Sequence, residues 1–275
     1  MPREHGILSL SDGRTLAYAE YGDPSGPPVL FFHPTPGSRL DAAQTKPSPF
    51  RLIAPDRPGY GKSDPLQERT LEQFARDVGE LADALRIPSF AVAGVSGGGP
   101  HALACAAFLT QRVNRAAVMC GVGPLFEMHE LGLLPDASAP PTDEELAAHA
   151  ATMHQNAEAI AQVGISQSPA GDQALFTPDR IALWVRSTVE GTVRPDGMVE
   201  DYHAFTRPWG FALSRVTVPV GLWYGDADPV VSLAQGRYLQ EHLPKAQLHV
   251  LPGIGHLGTP LAALAAVTQF LGRRD

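Results

Sequence analysis

A serine in a glycine-rich turn is the strongest chemical signal in the sequence. The segment Gly94-Val95-Ser96-Gly97-Gly98 fits the pattern Gly-x-Ser-x-Gly, and it stands between an apolar run at residues 90–95 and another at 100–109. A strand, a sharp turn and a helix in that order would raise the Ser96 hydroxyl above a sheet edge, and small neighbours let strand and helix approach closely. Without this context the pattern indicates only an ordinary glycine-rich turn. In this context we predict that Ser96 is a nucleophile.

A serine hydroxyl needs a base to take its proton, and the base needs a carboxylate to orient it. His256 lies in the loop Gly253-Ile254-Gly255-His256-Leu257, after a predicted strand and before the last predicted helix. Asp228 lies in Gly225-Asp226-Ala227-Asp228-Pro229, after another predicted strand, and Asp226 in the same turn is the alternative acid. Serine, acid and histidine follow one another in this order in hydrolases with such a turn. We therefore predict Ser96, Asp228 and His256 as the catalytic group.

Five segments in the right order resemble the α/β-hydrolase superfamily, in its lidded, esterase-like form. They are Phe31-Phe32-His33-Pro34-Thr35-Pro36-Gly37, Asp56-Arg57-Pro58-Gly59-Tyr60-Gly61-Lys62-Ser63, the serine turn, the Asp228 turn and the His256 loop. The resemblance covers nearly the whole chain. It implies an α/β fold with a mostly parallel sheet and helices on both faces. It also implies a serine hydrolase that cleaves a carboxylic ester or lactone through an acyl-enzyme on Ser96.

The same resemblance assigns the oxyanion donors to the backbone N–H groups of Thr35 and Gly97. One departure is Pro34, which stands where the family usually has glycine. Because proline has no N–H, only His33, Thr35 and Gly37 can donate between positions 33 and 37. Thr35 is at the position that the family uses, so the donor remains. We expect His33 to be structural.

A serine nucleophile disfavours some of the reactions that proteins of this fold catalyse. Haloalkane dehalogenases and epoxide hydrolases of this fold use a carboxylate where this chain has Ser96. Prolyl aminopeptidases carry Trp after the serine and a glycine-rich first loop, so Gly97 and Pro34-Thr35 fit them poorly. Other activities found in this fold remain as alternatives: those of a C–C bond hydrolase, a cyclase, a perhydrolase or a cofactor-free oxygenase. A ligand receptor is a further alternative, since fold does not fix function.

No motif calls for a cofactor or a metal. Gly61-Lys62-Ser63 is similar to the end of a phosphate loop, but the pattern needs Gly where Asp56 stands. No Gly-x-Gly-x-x-Gly follows a predicted strand, and no His-Glu-x-x-His is present. His149 and His154 are five residues apart, which is poor spacing for a shared metal. We therefore predict neither cofactor nor metal.

Strands and helices that alternate along the chain must position these residues. Short apolar runs predict strands at residues 29–33, 52–55, 90–95, 116–122, 218–224 and 247–251, after a hairpin at 6–10 and 15–21. Helices are predicted from Thr70, with Gln73 as capping partner, and at 100–109, 233–242 and 260–271. Strands separated by helices predict a parallel sheet. Residues 1–123 and 209–275 form the predicted core domain.

Residues 124–208 interrupt this alternation and hold helical patterns near 143–163 and 178–190, with no strand signal. We predict a helical lid, with extra packing as the alternative. Its large apolar side chains suggest a pocket for a substrate of medium size, although each could equally be lid core. The candidates are Phe126, Met128, Met153, Phe176, Trp184, Met198, Phe205 and Trp209.

Composition excludes several partners. The 275 residues carry a net charge of −8 with no Lys/Arg cluster, which argues against nucleic acid and an anionic membrane. Cys105 and Cys120 stand in apolar runs, typical of core thiols in a reducing compartment. The N-terminal residues lack the apolar stretch of a signal peptide, so we expect a cytoplasmic protein. The expected partner is a small molecule with an apolar part; the oligomeric state stays open.

Overall fold

The computed structural model describes residues 3–134 and 141–273. An eight-stranded sheet runs through it in the order β1-β2-β4-β3-β5-β6-β7-β8. β1 and β2 pair antiparallel, β2 meets β4 antiparallel, and the remaining neighbours are parallel. The strands are β1 (Arg3–Ser9), β2 (Thr15–Gly22), β3 (Pro28–Phe32), β4 (Arg51–Pro55), β5 (Phe90–Val95), β6 (Val113–Met119), β7 (Val220–Gly225) and β8 (Ala246–Leu251).

Helices cover both faces of the sheet, as the sequence predicts. One face packs against α1 (Leu71–Ala84), α2 (Gly98–Phe108) and α8 (Leu233–His242). The other face packs against a 3₁₀ helix (Arg39–Thr45) and α10 (Leu264–Leu271). The central strands β5 and β7 are buried along their whole length, which explains their continuous apolar sequences.

The segment between β6 and β7, residues 124–208, is called the helical insert below. It contains α3 (Leu125–Glu130), α4 (Asp143–Gln167), α5 (Ala170–Gln173), α6 (Pro178–Gly191) and α7 (Asp196–Thr206). No strand occurs in its described part, residues 124–134 and 141–208. Residues 135–140 of the predicted lid lie outside the described residues.

Most predicted elements are confirmed, with shifts that have local causes. Thr70 caps α1 through a capping box with Gln73, as predicted. The predicted helix at 260–271 is divided into α9 (Thr259–Ala262) and α10, which meet at Ala263. β6 begins three residues earlier than predicted, because Val113 and Arg115 extend the pairing with β5 past their polar neighbour Asn114. No helix within the described ranges is both long and apolar enough to cross a bilayer.

Candidate active site

Ser96 stands at the end of β5 in a left-handed backbone conformation, with φ of +51°. This conformation is costly for a residue other than glycine, and such residues cluster at functional sites. Its glycine neighbours are required by space. A Cβ on Gly94 would lie 2.2 Å from the carbonyl oxygen of Gly98, and one on Gly98 would lie 2.2 Å from that of Phe32. The local sequence therefore fixes a tight strand-to-helix turn with the serine at its apex.

The three residues predicted as the catalytic group meet at the carboxyl ends of the strands. Ser96 Oγ lies 3.0 Å from His256 Nε2, and His256 Nδ1 lies 2.7 Å from Asp228 Oδ2. The side chain of Asp228 is fully buried, whereas the side chain of His256 is 15% exposed to solvent. With Nδ1 protonated toward Asp228, Nε2 is free to accept the serine proton.

Asp228 and Asp226 follow the same strand but have different partners. Asp228 Oδ1 accepts hydrogen bonds from the backbone N–H groups of Val230 (2.8 Å) and Val231 (2.9 Å), which leaves Oδ2 for the histidine. Asp226 Oδ1 instead accepts from the Gly253 N–H at 2.7 Å, in an exposed position at the start of the His256 loop. The structure therefore brings Asp228 to His256, whereas Asp226 forms a hydrogen bond that holds the start of the His256 loop.

The environment of His256 favours its protonated form. Burial lowers its pKa, but the neighbouring Cys120 and Asp228 side chains raise it, to about 10 overall. The Cys120 thiol is fully buried and points its hydrogen toward the His256 carbonyl oxygen, 3.6 Å from Sγ. The carboxylate of Asp228 lies against Nδ1 and stabilises the imidazolium, which favours the protonated form.

The predicted oxyanion donors lie next to Ser96. Gly97 and Thr35 approach so closely that a Cβ on Gly97 would lie 2.1 Å from Thr35 Oγ1. Neither backbone N–H donates a hydrogen bond to any described residue. Two backbone N–H groups without a partner, side by side next to a serine, can bind a developing negative charge.

Arg57 holds the loop that carries Thr35. Its guanidinium is fully buried and donates to the carbonyl oxygens of His33 and Pro34, the latter at 3.0 Å, and to Thr35 Oγ1 at 2.9 Å. His33 Nδ1 donates to the Pro34 carbonyl at 2.8 Å, and its Nε2 accepts from the Arg57 N–H at 3.2 Å. Burial and Arg57 keep the pKa of His33 well below its ordinary value, so His33 is a neutral structural residue.

Asp201 of α7 links the helical insert to this loop. Its fully buried carboxylate accepts hydrogen bonds from Arg57 (2.6 Å), Tyr60 (2.7 Å), Thr35 Oγ1 and Arg69. Burial would raise the pKa of Asp201, but Arg57 and Arg69 hold it below its ordinary value. Thus the insert contributes a buried anion to the support of the predicted oxyanion loop.

Asp172 of α5 links the insert to the His256 loop in the same way. Its two carboxylate oxygens accept from the N–H groups of Gly255 (2.6 Å) and Gly258 (2.9 Å), on either side of His256. Its side chain is fully buried, and a Cβ on Gly258 would lie 2.3 Å from Oδ1. Sequence reasoning missed Asp172 and Asp201, because neither stands in a motif and their partners are 83 to 166 residues away.

An apolar cavity of about 280 Å³ opens at Ser96 and His256. Among the insert residues predicted for a pocket, it is lined by Met153, Phe176 and Trp184. The other five are placed elsewhere. Phe126 is 42% exposed, whereas Met128, Met198, Phe205 and Trp209 are buried outside the cavity lining.

Most of the lining was not predicted, because it comes from the core and not from the insert. The sheet contributes Val29, Phe31, Leu52, Ala93, Val95 and Met119, and the C-terminal helices contribute Leu261, Leu264, Val267 and Leu271. These residues give apolar strand and helix patterns, which sequence reasoning assigns to a filled core.

Within the described residues, one group places three metal-ligand atoms close together: Cys120, Asp228 and His256, all within 4.8 Å. A cation there would have to displace the proton shared by His256 Nδ1 and Asp228. The hydrogen bonds of this group therefore fit a histidine oriented for proton transfer better than a metal centre.

The fold and this geometry agree with the comparison to known families. A family model described as the alpha/beta hydrolase fold matches residues 27–260. The chain belongs to the α/β-hydrolase fold family. An enol-lactonase from Burkholderia xenovorans has a similar structure, with a TM-score of 0.74, 22% identity, and coverage of 96% of this chain and 97% of that one.

Two named relatives are hydrolases. A bifunctional esterase/perhydrolase from Acinetobacter calcoaceticus is 26% identical over 97% of this chain and 98% of its own length. A proline iminopeptidase from Arabidopsis thaliana is 36% identical, but over only 38% of this chain. That match spans less than a third, 29%, of the iminopeptidase.

Proposed function

We propose that this protein is a serine hydrolase that cleaves a carboxylic ester or lactone without a cofactor. The observation that carries the proposal is the hydrogen-bonded chain from Ser96 through His256 to Asp228, which ends beside two unpaired backbone donors. This arrangement supports the proposal because acyl transfer requires three parts in one place: a nucleophile, an oriented base and donors for an oxyanion.

In the first half-reaction, His256 Nε2 accepts the proton as Ser96 Oγ attacks the ester carbonyl carbon. The carbonyl oxygen becomes an oxyanion and is held by the N–H groups of Thr35 and Gly97. Asp228 stabilises the imidazolium that forms. When the tetrahedral intermediate collapses, His256 donates that proton to the departing alcohol and an acyl-enzyme remains.

In the second half-reaction, a water molecule takes the place of the alcohol. His256 removes a proton from this water, whose oxygen attacks the acyl carbon, and then returns the proton to Ser96 Oγ as the acid leaves. A lactone follows the same course, except that its alcohol stays tethered to the acyl group until hydrolysis.

The helical insert acts as a lid in this proposal. Its residues Met153, Phe176 and Trp184 line the cavity, and Phe176 and Trp184 lie with their ring centroids 5.9 Å apart. Asp172 and Asp201 fix the insert to the two loops that carry the chemistry. Such a lid would exclude water and select substrates by apolar contact.

Turnover of p-nitrophenyl esters and lactones tests the proposal. We expect hydrolysis by the native protein and a loss of about 10³-fold or more in kcat for Ser96→Ala, because the three residues act as a unit. Ser89→Ala is the matched control, since Ser89 is exposed and precedes β5, at the opposite end of that strand from Ser96. Equal rates in Ser96→Ala and Ser89→Ala would contradict the proposal.

The named relatives favour two other outcomes that the same assay distinguishes. The esterase/perhydrolase suggests that hydrogen peroxide could replace water as the acceptor of the acyl group, which a peracid assay measures. The iminopeptidase suggests cleavage of an N-terminal proline amide, measured with proline p-nitroanilide. We expect ester turnover to exceed both.

A further inference from the structure

The cavity extends far beyond the catalytic group, along one face of the sheet. It begins at Ser96 and reaches Val29 on β3, which is paired in register with Ala91. Ala91 lies on β5 five residues before Ser96, which directly follows that strand, so at about 3.3 Å per residue the cavity reaches roughly 16 Å from the nucleophile. This length is too great for an acetyl group and suits an extended chain.

The walls of this deep part belong to the core. Val29 and Phe31 alternate on β3, and Ala93 and Val95 alternate on β5, so all four side chains point to one face of the sheet. The opposite wall is α10, through Leu264, Val267 and Leu271. The space is therefore an elongated gap between a sheet and a helix, and these walls are lined by apolar side chains.

The polar side chains that line the cavity form hydrogen bonds with other groups of the protein. Thr268 Oγ1 donates to the Leu264 carbonyl, Thr45 Oγ1 donates to that of Ala42, and Ser48 Oγ accepts from the Phe50 N–H. Gln44 Nε2 donates to the Arg180 carbonyl. The exception is Gln44 Oε1, which is buried without a donor.

Charge on the wall opposes an anionic ligand. No Lys or Arg side chain of the described residues lines the cavity, whereas Asp41 does. Burial raises the pKa of Asp41 to about 6, against the hydrogen bonds from Ser187 and the Ser38 N–H that lower it. At neutral pH its carboxylate, like the free acceptor of Gln44, would repel a chain that ends in a carboxylate.

We infer that the gap between the sheet and α10, here called the acyl channel, binds the linear, uncharged aliphatic acyl chain of the substrate. This inference rests on the proposed function. In the second half-reaction the acyl group stays bonded to Ser96 while the alcohol leaves. A deep gap suits the part that is retained, and the alcohol then departs on the side of the helical insert.

A chain-length series of p-nitrophenyl esters, from acetate to laurate, tests the channel in the native protein. We expect kcat/KM to rise from acetate to octanoate by at least about tenfold, since each buried methylene adds binding energy in the transition state. A preference for acetate would overturn the inference. Complete absence of ester turnover would instead contradict the proposed function.

Blocking the channel tests its position. Val267→Phe should lower kcat/KM for octanoate by at least about tenfold relative to acetate, because the new ring fills the middle of the gap. Ala266→Phe introduces the same ring at the adjacent, exposed position of α10 and should match the native protein. Leu264→Phe, at a half-buried lining position, repeats the block and replaces Val267→Phe if that variant does not fold.

Octyl acetate distinguishes the two ends of the ester. It carries the long chain on the alcohol, so neither blocking variant should alter its turnover relative to a short acetate. Octanoate turnover that is unchanged in both variants would overturn the inference. So would a loss confined to octyl acetate, since the channel would then hold the alcohol.

Discussion

Asp228 and Asp226 have the same residue type and follow the same strand, but only Asp228 contacts His256. Asp228→Asn should lower kcat by about 10⁴-fold, the cost of the same change in serine proteases, because an amide stabilises the wrong histidine tautomer. Asp226→Asn should cost less than about tenfold, since it alters only a hydrogen bond to Gly253. Steady-state kinetics of both variants measure the difference, and the reverse ranking would transfer the role to Asp226.

The pH profile of kcat/KM reports the protonation of His256. The base must be neutral, so activity should fall on acidification as His256 takes up a proton. Cys120 and Asp228 raise the pKa of His256, so the midpoint should lie above the ordinary value of about 6.5. A profile that stays flat from about pH 5 to 8 would count against histidine as the base.

At the scale of residues, the sequence indicated the three side chains that the structure joins by hydrogen bonds, but not the residues that hold them in place. Ser96, Asp228 and His256 stand in turns whose glycine and proline neighbours mark them. Asp172 and Asp201 stand in helices whose sequence contains no such mark, and only the folded chain brings them to the loops of the active site.

Helix α5 has four residues, yet its Asp172 accepts from the N–H groups on both sides of His256. Asp172→Asn keeps one acceptor and leaves the other N–H facing an amide hydrogen. We expect a loss of about 1–3 kcal/mol in the free energy of unfolding. We also expect kcat to fall about tenfold to hundredfold with little change in KM, because His256 moves while the cavity stays.

Thermal unfolding and steady-state kinetics measure these two effects of Asp172→Asn. Glu158→Gln makes the same change at an exposed position of the insert and should resemble the native protein. If Asp172→Asn lost stability while kcat and KM both kept native values, Asp172 would have no part in positioning the histidine.

The strands and helices of the core were predictable because the spacing of apolar residues and the positions of turn residues indicate the same elements along the chain. The exceptions have tertiary causes. No helix is predicted at the 3₁₀ helix Arg39–Thr45, which contains the charged residues Arg39 and Asp41. In the structure Arg39 is fully buried against Asp56 and Glu190, and Asp41 is buried against Ser187.

For the whole molecule, the predicted fold is confirmed, but the position of the cavity could not be read from the sequence. A gap between α10 and the sheet depends on how far the helix stands from the strands, and no periodic pattern encodes that distance. The sequence placed the pocket among insert residues, of which Met153, Phe176 and Trp184 line it.

Two substitutions in the helical insert separate a selecting residue from a packing residue. Trp184 lines the cavity, so Trp184→Ala should alter selectivity among esters by about 1–3 kcal/mol in kcat/KM and leave small phosphonates reactive. Phe205 is buried outside the lining, so Phe205→Ala should lower the free energy of unfolding by about 3–5 kcal/mol without changing selectivity. Parallel ester kinetics and thermal unfolding measure both, and equal selectivity in the two variants would argue against the insert as a selector.

Mass spectrometry of the intact protein after reaction with a small fluorophosphonate, followed by peptide mapping, tests the central claim most directly. The account predicts one adduct per chain, on the peptide that contains Ser96. It should be absent from Ser96→Ala and should form much more slowly in His256→Ala. An adduct that persists in Ser96→Ala, or one that maps to another residue, would contradict the account.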